Sequence, residues 1–179
     1  MKRALFSLSH PEIGRALATQ LLSEGWEIVA TDETVRDFSS QGMQVKSIYA
    51  YLDLAKEYPI PPTLHPKIES ALTSDESHDR IDLLFDETYG SDKGIDVGGN
   101  TLLALAVKGD RYVLTEEEDA VAFCNESSRN EALKKKLIKK TQDRLHRFYS
   151  TWQEMSLPKT LLANGENPYQ SPAYLQISD

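Results

Sequence analysis

Residues Ala4 to Ser9 alternate loosely between apolar and small side chains and stop at His10-Pro11, which predicts a short buried strand leading into a helix with proline in its first turn. That helix, Glu12 to Glu24, gathers Ile13, Ala16, Leu17, Leu21 and Leu22 on one side and ends at Gly25. A β-rich run from Trp26 to Thr31 follows, then a helical segment Glu33 to Ser40 closed by Gly42, then a third strand Gln44 to Ile48. Strand and helix in strict alternation predict a parallel sheet with right-handed crossovers, whose ligands gather at the carboxyl ends of the strands.

Tyr49 to Pro62 has no period and is rich in Tyr and Pro, so it reads as a loop. A short helix follows His65, and Thr73 to Arg80 is a polar exposed connection. Ile81 to Phe85 is a fourth strand, Asp86 to Gly94 a loop carrying Tyr89, Arg111 to Leu114 a fifth strand, and Glu116 to Phe123 a short helix with an acidic first turn. From Arg129 to Met155, Leu133, Leu137, Thr141, Leu145, Phe148, Trp152 and Met155 recur every three or four positions and form one apolar stripe. Core packing accounts for that stripe, and a dimer seam is the sharper alternative.

The predicted fold class is therefore α/β: a three-layer, mostly parallel five-stranded sheet flanked by helices, with a long C-terminal helix and an extended tail. One domain over residues 1–156, with a tail over residues 157–179, suits a chain of 179 residues that is 40% hydrophobic. A net charge of -8 argues against a nucleic-acid surface, and the basic run Lys134 to Lys140 is offset by nearby acids. A single cysteine, Cys124, leaves no internal disulfide and fits a reducing compartment. No apolar run is long enough to span a bilayer, and MKRALFSLSHPE turns polar too early for a secretory signal, so a cytoplasmic protein is expected.

The stretch with the most chemical content is Ile95 to Lys108, IDVGGNTLLALAVK. Asp96 precedes Gly98 and Gly99, which let the backbone approach a small ligand while the new helix turns its free N–H groups toward it. The same pattern also serves as plain turn chemistry, with Asp96 as a cap. Ser7 and Ser9 stand at the end of the first strand, where serine faces a ligand or caps a helix. His10, His65, His78 and His146 are scattered without metal-ligand spacing, so no metal site is expected. No Walker loop, GxSxG or GxGxxG occurs.

Taken in order, these motifs resemble the inosine monophosphate cyclohydrolase domain of the bifunctional AICAR transformylase/IMP cyclohydrolase family, a methylglyoxal-synthase-like fold. KRALFSLSH is similar to the family's opening strand and loop, LLSEGWEIVAT to its first helix and second strand, and TLHPKI to its TLHP loop. IDLLFDETYG resembles a strand ending in a tyrosine loop, and IDVGG with Lys108 twelve positions beyond Asp96 resembles the IDIGG-to-lysine signature. KKKLIKKTQDRLHRFY also has a counterpart, and GENPYQ resembles the start of the transformylase half, whose remainder has no counterpart here.

The resemblance implies ring closure of a formamido-imidazole carboxamide ribotide to IMP with loss of water, in purine biosynthesis. It implies Tyr89, Asp96 and Lys108 as catalytic groups converging on one cleft, without metal or organic cofactor. Ser7, Ser9, Thr31, Thr34, Thr63, His65, Gly98 and Gly99 would bind a nucleotide-like ligand. A homodimer is expected, with a separate transformylase partner as one candidate; from charge and hydropathy, no nucleic acid or membrane is expected.

Four departures weigh against the usual substrate. Pro62 stands where the family has lysine, and Ser9-His10-Pro11 replaces Ser-Asp-Lys. Ala30-Thr31-Asp32-Glu33-Thr34 replaces the Ser-Thr-Gly-Gly-Thr phosphate loop, with two carboxylates that repel a phosphate. The connection after the fourth strand is also shortened. The competing reading is a non-catalytic relative that senses a small molecule or binds a partner; a methylglyoxal-synthase-like lyase fits less well, because it also needs the phosphate loop.

Overall fold

The computed structural model describes residues 1–55, 61–89, 96–125 and 129–154, the last four by backbone only. The sheet contains β1 (Arg3–Leu8), β2 (Glu27–Ala30), β3 (Lys46–Ser47), β4 (Leu83–Glu87) and β5 (Tyr112–Leu114), all parallel, in the order β3-β2-β1-β4-β5. Helices α1 (Arg15–Ser23), α2 (Asp32–Ser40), α3 (Ile48–Leu52), α4 (Pro66–Thr73), α5 (Val97–Lys108), α6 (Glu117–Cys124) and α7 (Glu131–Glu154) supply the outer layers. The predicted α/β class with a five-stranded parallel sheet is the observed one.

Alternation along each strand divides the core. Ala4, Phe6 and Leu8 of β1 and Leu83 and Phe85 of β4 pack toward α1, α2 and α6, with Leu137 of α7. Leu5, Leu84, Val29 and Val113 point the other way, into α3, α4 and α5. A strand with helices on both sides is apolar along most of its length, which is why these runs read as nearly continuous hydrophobic stretches.

Several elements differ from their sequence-based limits. The helix expected over Glu12 to Glu24 begins as a 3-10 turn, Pro11–Gly14, and becomes α-helical only at Arg15. Gly14 sits so close to β1 that a Cβ there would lie 2.6 Å from Leu8. The expected loop Tyr49 to Pro62 contains α3, capped where Ala50 N–H donates to the Ser47 hydroxyl at 3.1 Å. Five residues are too few to show a period; the burial of Ile48, Tyr51 and Leu52 holds that turn in place. The fourth strand begins later and runs further than predicted, through Glu87, so Asp86 is a strand residue paired in register with Ser7.

The chain forms two compact units, Met1–Leu145 and His146–Asp179. In the first, Leu137 and Leu145 of α7 are core residues, so this part of the apolar stripe is packing. In the second, the Phe148 and Tyr149 rings meet edge-on at 5.2 Å. Trp152, Met155 and the predicted tail over residues 157–179 lie outside the described side chains.

Candidate functional site

Strand order reverses between β1 and β4: β2 and β3 extend the sheet from one side of β1, and β4 and β5 from the other. The carboxyl edge at such a reversal is open, because the connections leaving the two strands go to opposite faces. Ser7 and Asp86 pair across this edge, one step before Leu8 and Glu87.

By alternation Ser7 and Asp86 continue the face of Leu5 and Leu84, which carries α5. Helix α5 runs back from this edge, so its first turn stands over them. Asp96 is its N-cap: Gly99 N–H donates to Asp96 Oδ1 at 2.8 Å, and Tyr89 N–H donates to Oδ2 at 3.2 Å. Asn100 closes the turn by donating from its side chain to the Asp96 carbonyl at 2.7 Å. One carboxylate thus joins the chain just past β4 to the start of α5.

The two glycines do different work. A Cβ on Gly98 would meet the Thr63 hydroxyl at 3.2 Å, so the TLHP turn lies against the helix start. A Cβ on Gly99 would lie 2.7 Å from Asp96 Oδ2, 2.8 Å from Asp86 Oδ1 and 2.9 Å from the Thr88 methyl. The close approach that Gly99 permits is to the protein's own carboxyl groups. Both oxygens crowd one point, so the two acids are under about 6 Å apart, within range for each charge to oppose the other.

Asp86 is only 1% exposed, and neither of its oxygens has a hydrogen-bond partner among the described residues. Burial pushes its carboxyl up to about 7; the Asp96 and Glu87 charges push the same way, while the Ser7 hydroxyl and Arg144 pull against it. Ser7 is thus near enough to influence the acid without meeting hydrogen-bond geometry, and burial wins. Arg144, from α7, donates to the Thr88 hydroxyl and is the guanidinium nearest this chemistry among the groups acting on Asp86. Tyr89 is 37% exposed, and desolvation together with the Asp96 charge raises its phenol above the usual range.

Of the residues expected to bind or react, Tyr89, Asp96, Thr63, Gly98, Gly99 and Ser7 gather around this edge. Ser9 donates to the Glu87 carbonyl at 3.3 Å, and His10 engages the Glu87 carboxylate through its backbone N–H at 2.7 Å and its ring Nδ1 at 2.8 Å. Thr34 is fully buried and is used internally: it accepts from Leu8 N–H at 3.2 Å and shares a 3.4 Å contact with Thr31. His65 caps α4, its Nδ1 accepting from Lys67 N–H at 3.1 Å, so the ring proton sits on Nε2.

Lys108 is a correction. It is the last residue of α5 and exposed, and the eleven steps from the first turn put it roughly 17 Å away along the axis, at the amino edge of the sheet. A lysine side chain is too short to return across that distance, so the expected three-residue cluster does not form in one chain.

Sequence reading missed Asp86 and Arg144. Ending the fourth strand at Phe85 put Asp86 in a loop, although its place two residues after Leu84 would have assigned it to the same face. Arg144 flanks the α7 stripe and has no local signal. A groove of about 780 Å³ lined by Arg15, Thr19, Leu22 and Met43 lies away from this edge, and Arg15 there is committed to Asp37. Among the described residues no group of three or more His, Cys, Asp or Glu side chains could hold a metal, and no helix is long and apolar enough to cross a membrane.

The chain is similar to PurH. The bifunctional purine biosynthesis protein PurH of Staphylococcus saprophyticus is 24% identical over 212 aligned positions, covering 100% of this chain and 43% of that protein. PurH of Staphylococcus carnosus is 25% identical with the same coverage, and PurH of Thermotoga maritima is 33% identical over 63% of this chain and 25% of its own length. The chain thus spans less than half the length of these relatives. No protein-family model matches it. The crystal structure of ForH superposes with a TM-score of 0.67 at 22% identity, covering 86% of this chain and 97% of ForH, a likeness of fold.

Proposed function

We propose that this chain is an IMP cyclohydrolase-like enzyme of purine nucleotide biosynthesis, closing a formamido-imidazole carboxamide ribotide ring to IMP with loss of water. What carries the reading is the junction at the start of α5, where Asp96 binds Tyr89 N–H and Gly99 N–H and Thr63 lies against Gly98. The similarity to PurH along the whole chain supports it.

The chemistry asks for two things. The carboxamide nitrogen must lose a proton as it attacks the formyl carbon, and negative charge on the formyl oxygen must be stabilised. The largely buried Asp96 carboxyl group suits the first; the Tyr89 phenol, kept protonated by its raised pKa, and the Arg144 guanidinium suit the second. A homodimer and a nucleotide-like ligand belong to the same proposal.

The second reading, a binding module without turnover, is favoured by one observation. Asp32 and Glu33 occupy the first turn of α2, and Thr34 is turned inward, where a phosphate would otherwise meet backbone N–H groups. Following the ultraviolet change on ring closure of the formamido ribotide decides between them. Turnover above the spontaneous rate is expected; binding of IMP without turnover selects the module, and neither binding nor turnover rejects both.

A further inference from the structure

Asp86 is a buried acid at this edge whose placement ring closure has not explained. An ionised carboxylate shut from water without donors costs several kcal/mol, so the group either finds partners or takes a proton. The charged and polar groups around it come from each packed element: Ser7 on β1, Glu87 beside it on β4, Asp96 at the cap of α5 and Arg144 on α7. Only one of these is a full cation, and Arg144 already binds Thr88 and lies 3.8 Å from Glu116. A proton on Asp86 removes the unpaired charge, and Asp96 Oδ2, which crowds the same point beside Gly99, is the nearest acid oxygen toward which the resulting O–H can turn.

We infer that Asp86 and Asp96 hold a single proton between them and together form the acid–base pair of this site. The pairing rests on the two carboxyl oxygens set within 2.7 and 2.8 Å of one point beside Gly99 and on the burial of Asp86 without a partner; its acid–base role rests on the cyclohydrolase reading above. The proton count suits that reaction. In the first step the carboxamide N–H gives its proton to the pair as the C–N bond forms, and the pair gives its proton to the formyl oxygen, which becomes a hydroxyl. In the second, the pair protonates that hydroxyl, the C–O bond breaks and water leaves, and the former formamido N–H returns a proton as the C=N bond forms. Each step takes one proton and supplies one, so a pair carrying one proton is restored both times; a pair with two or none could not do both. Asp96, at 9% exposure, is the more accessible member, and Asp86, at 1%, is the positioning residue behind it.

Carbon-13 titration of aspartate carboxyls in the full chain, with Asp86→Asn to assign the signal, tests the pair without requiring activity. The Asp86 resonance should titrate well above the ordinary aspartate range, with Asp96 responding in the same step, and Asp86→Asn should abolish that step. An Asp86 carboxyl that titrates like a free aspartate overturns the inference. In the ring-closure assay Asp86→Asn should lower kcat about 100-fold with KM nearly unchanged, and should flatten the pH profile near neutrality. Wild-type rate and profile in that variant overturn the acid–base role. A wild type that titrates as a pair but does not turn over sinks the cyclohydrolase reading while leaving the shared proton standing.

Discussion

A carboxyl group sealed from water resists ionisation, and through Asp86 the stability of this chain depends on pH. Its folded pKa of about 7 lies above the unfolded value of 3.8, so the native state keeps a proton that the unfolded chain releases. Its favourable contribution is complete below the unfolded value and is lost as pH rises through about 7, a swing on the order of 4 kcal/mol. Urea unfolding of Asp86→Asn should therefore show a shallower fall in stability between about pH 4 and 7 than the wild type, and a more stable protein at pH 8. Parallel pH dependence in the two proteins would contradict the burial argument. The residue types at this site were legible: Asp-x-Gly-Gly announces a capped helix start, and Asp96 is that cap. The partner of the cap was not, since Asp86 lies ten positions earlier and meets it only because β4 extends to Glu87.

Elements in this fold are locked at the edge away from the site. Arg111, 2% exposed, donates to the Leu72 carbonyl at 2.8 Å and the Ser74 carbonyl at 2.9 Å, and pairs with Asp75 at 2.6 Å. The connection Thr73 to Arg80, read from sequence as a plain polar link, is thus the socket that holds the start of β5. Close by, a Cβ on Gly109 would fall 1.8 Å from the Leu72 carbonyl oxygen, so the ends of α4 and α5 meet backbone against backbone. Arg111→Met keeps the volume but leaves buried carbonyls without donors. A loss of about 3 kcal/mol in chemical unfolding is expected, with ligand binding at the opposite edge unaffected in the folded protein. Helix periods and caps are local and could be read in advance; α3 could not, because its stability comes from burying Ile48, Tyr51 and Leu52.

At the scale of the whole molecule, charge at the carboxyl edge sets what can bind. Asp32 and Glu33 favour α2 by opposing its dipole, yet they repel the anion that the same dipole would attract. Replacing both by glycine should cost the helix about 1 kcal/mol and raise affinity for a nucleoside monophosphate roughly tenfold, measured by calorimetry. Adding Pro62→Lys should raise it further. Affinity that stays negligible in both variants would remove the phosphate from this end of the molecule and strengthen the binding-module reading.

Strict alternation of strand and helix, with strands largely apolar on both sides, determined the layered parallel sheet, because a strand covered by helices on each face leaves few positions for polar residues. Helical rise alone also separates Asp96 from Lys108, since residues at the two ends of one helix cannot share a cleft. Tertiary structure decided which side chains meet. The reversal of strand order sets β1 beside β4, and α5 folds back over them, bringing Ser7, Asp86 and Asp96 together from distant parts of the chain. Local spacing carries no record of such a meeting, because it depends on how far a strand runs and where a helix returns.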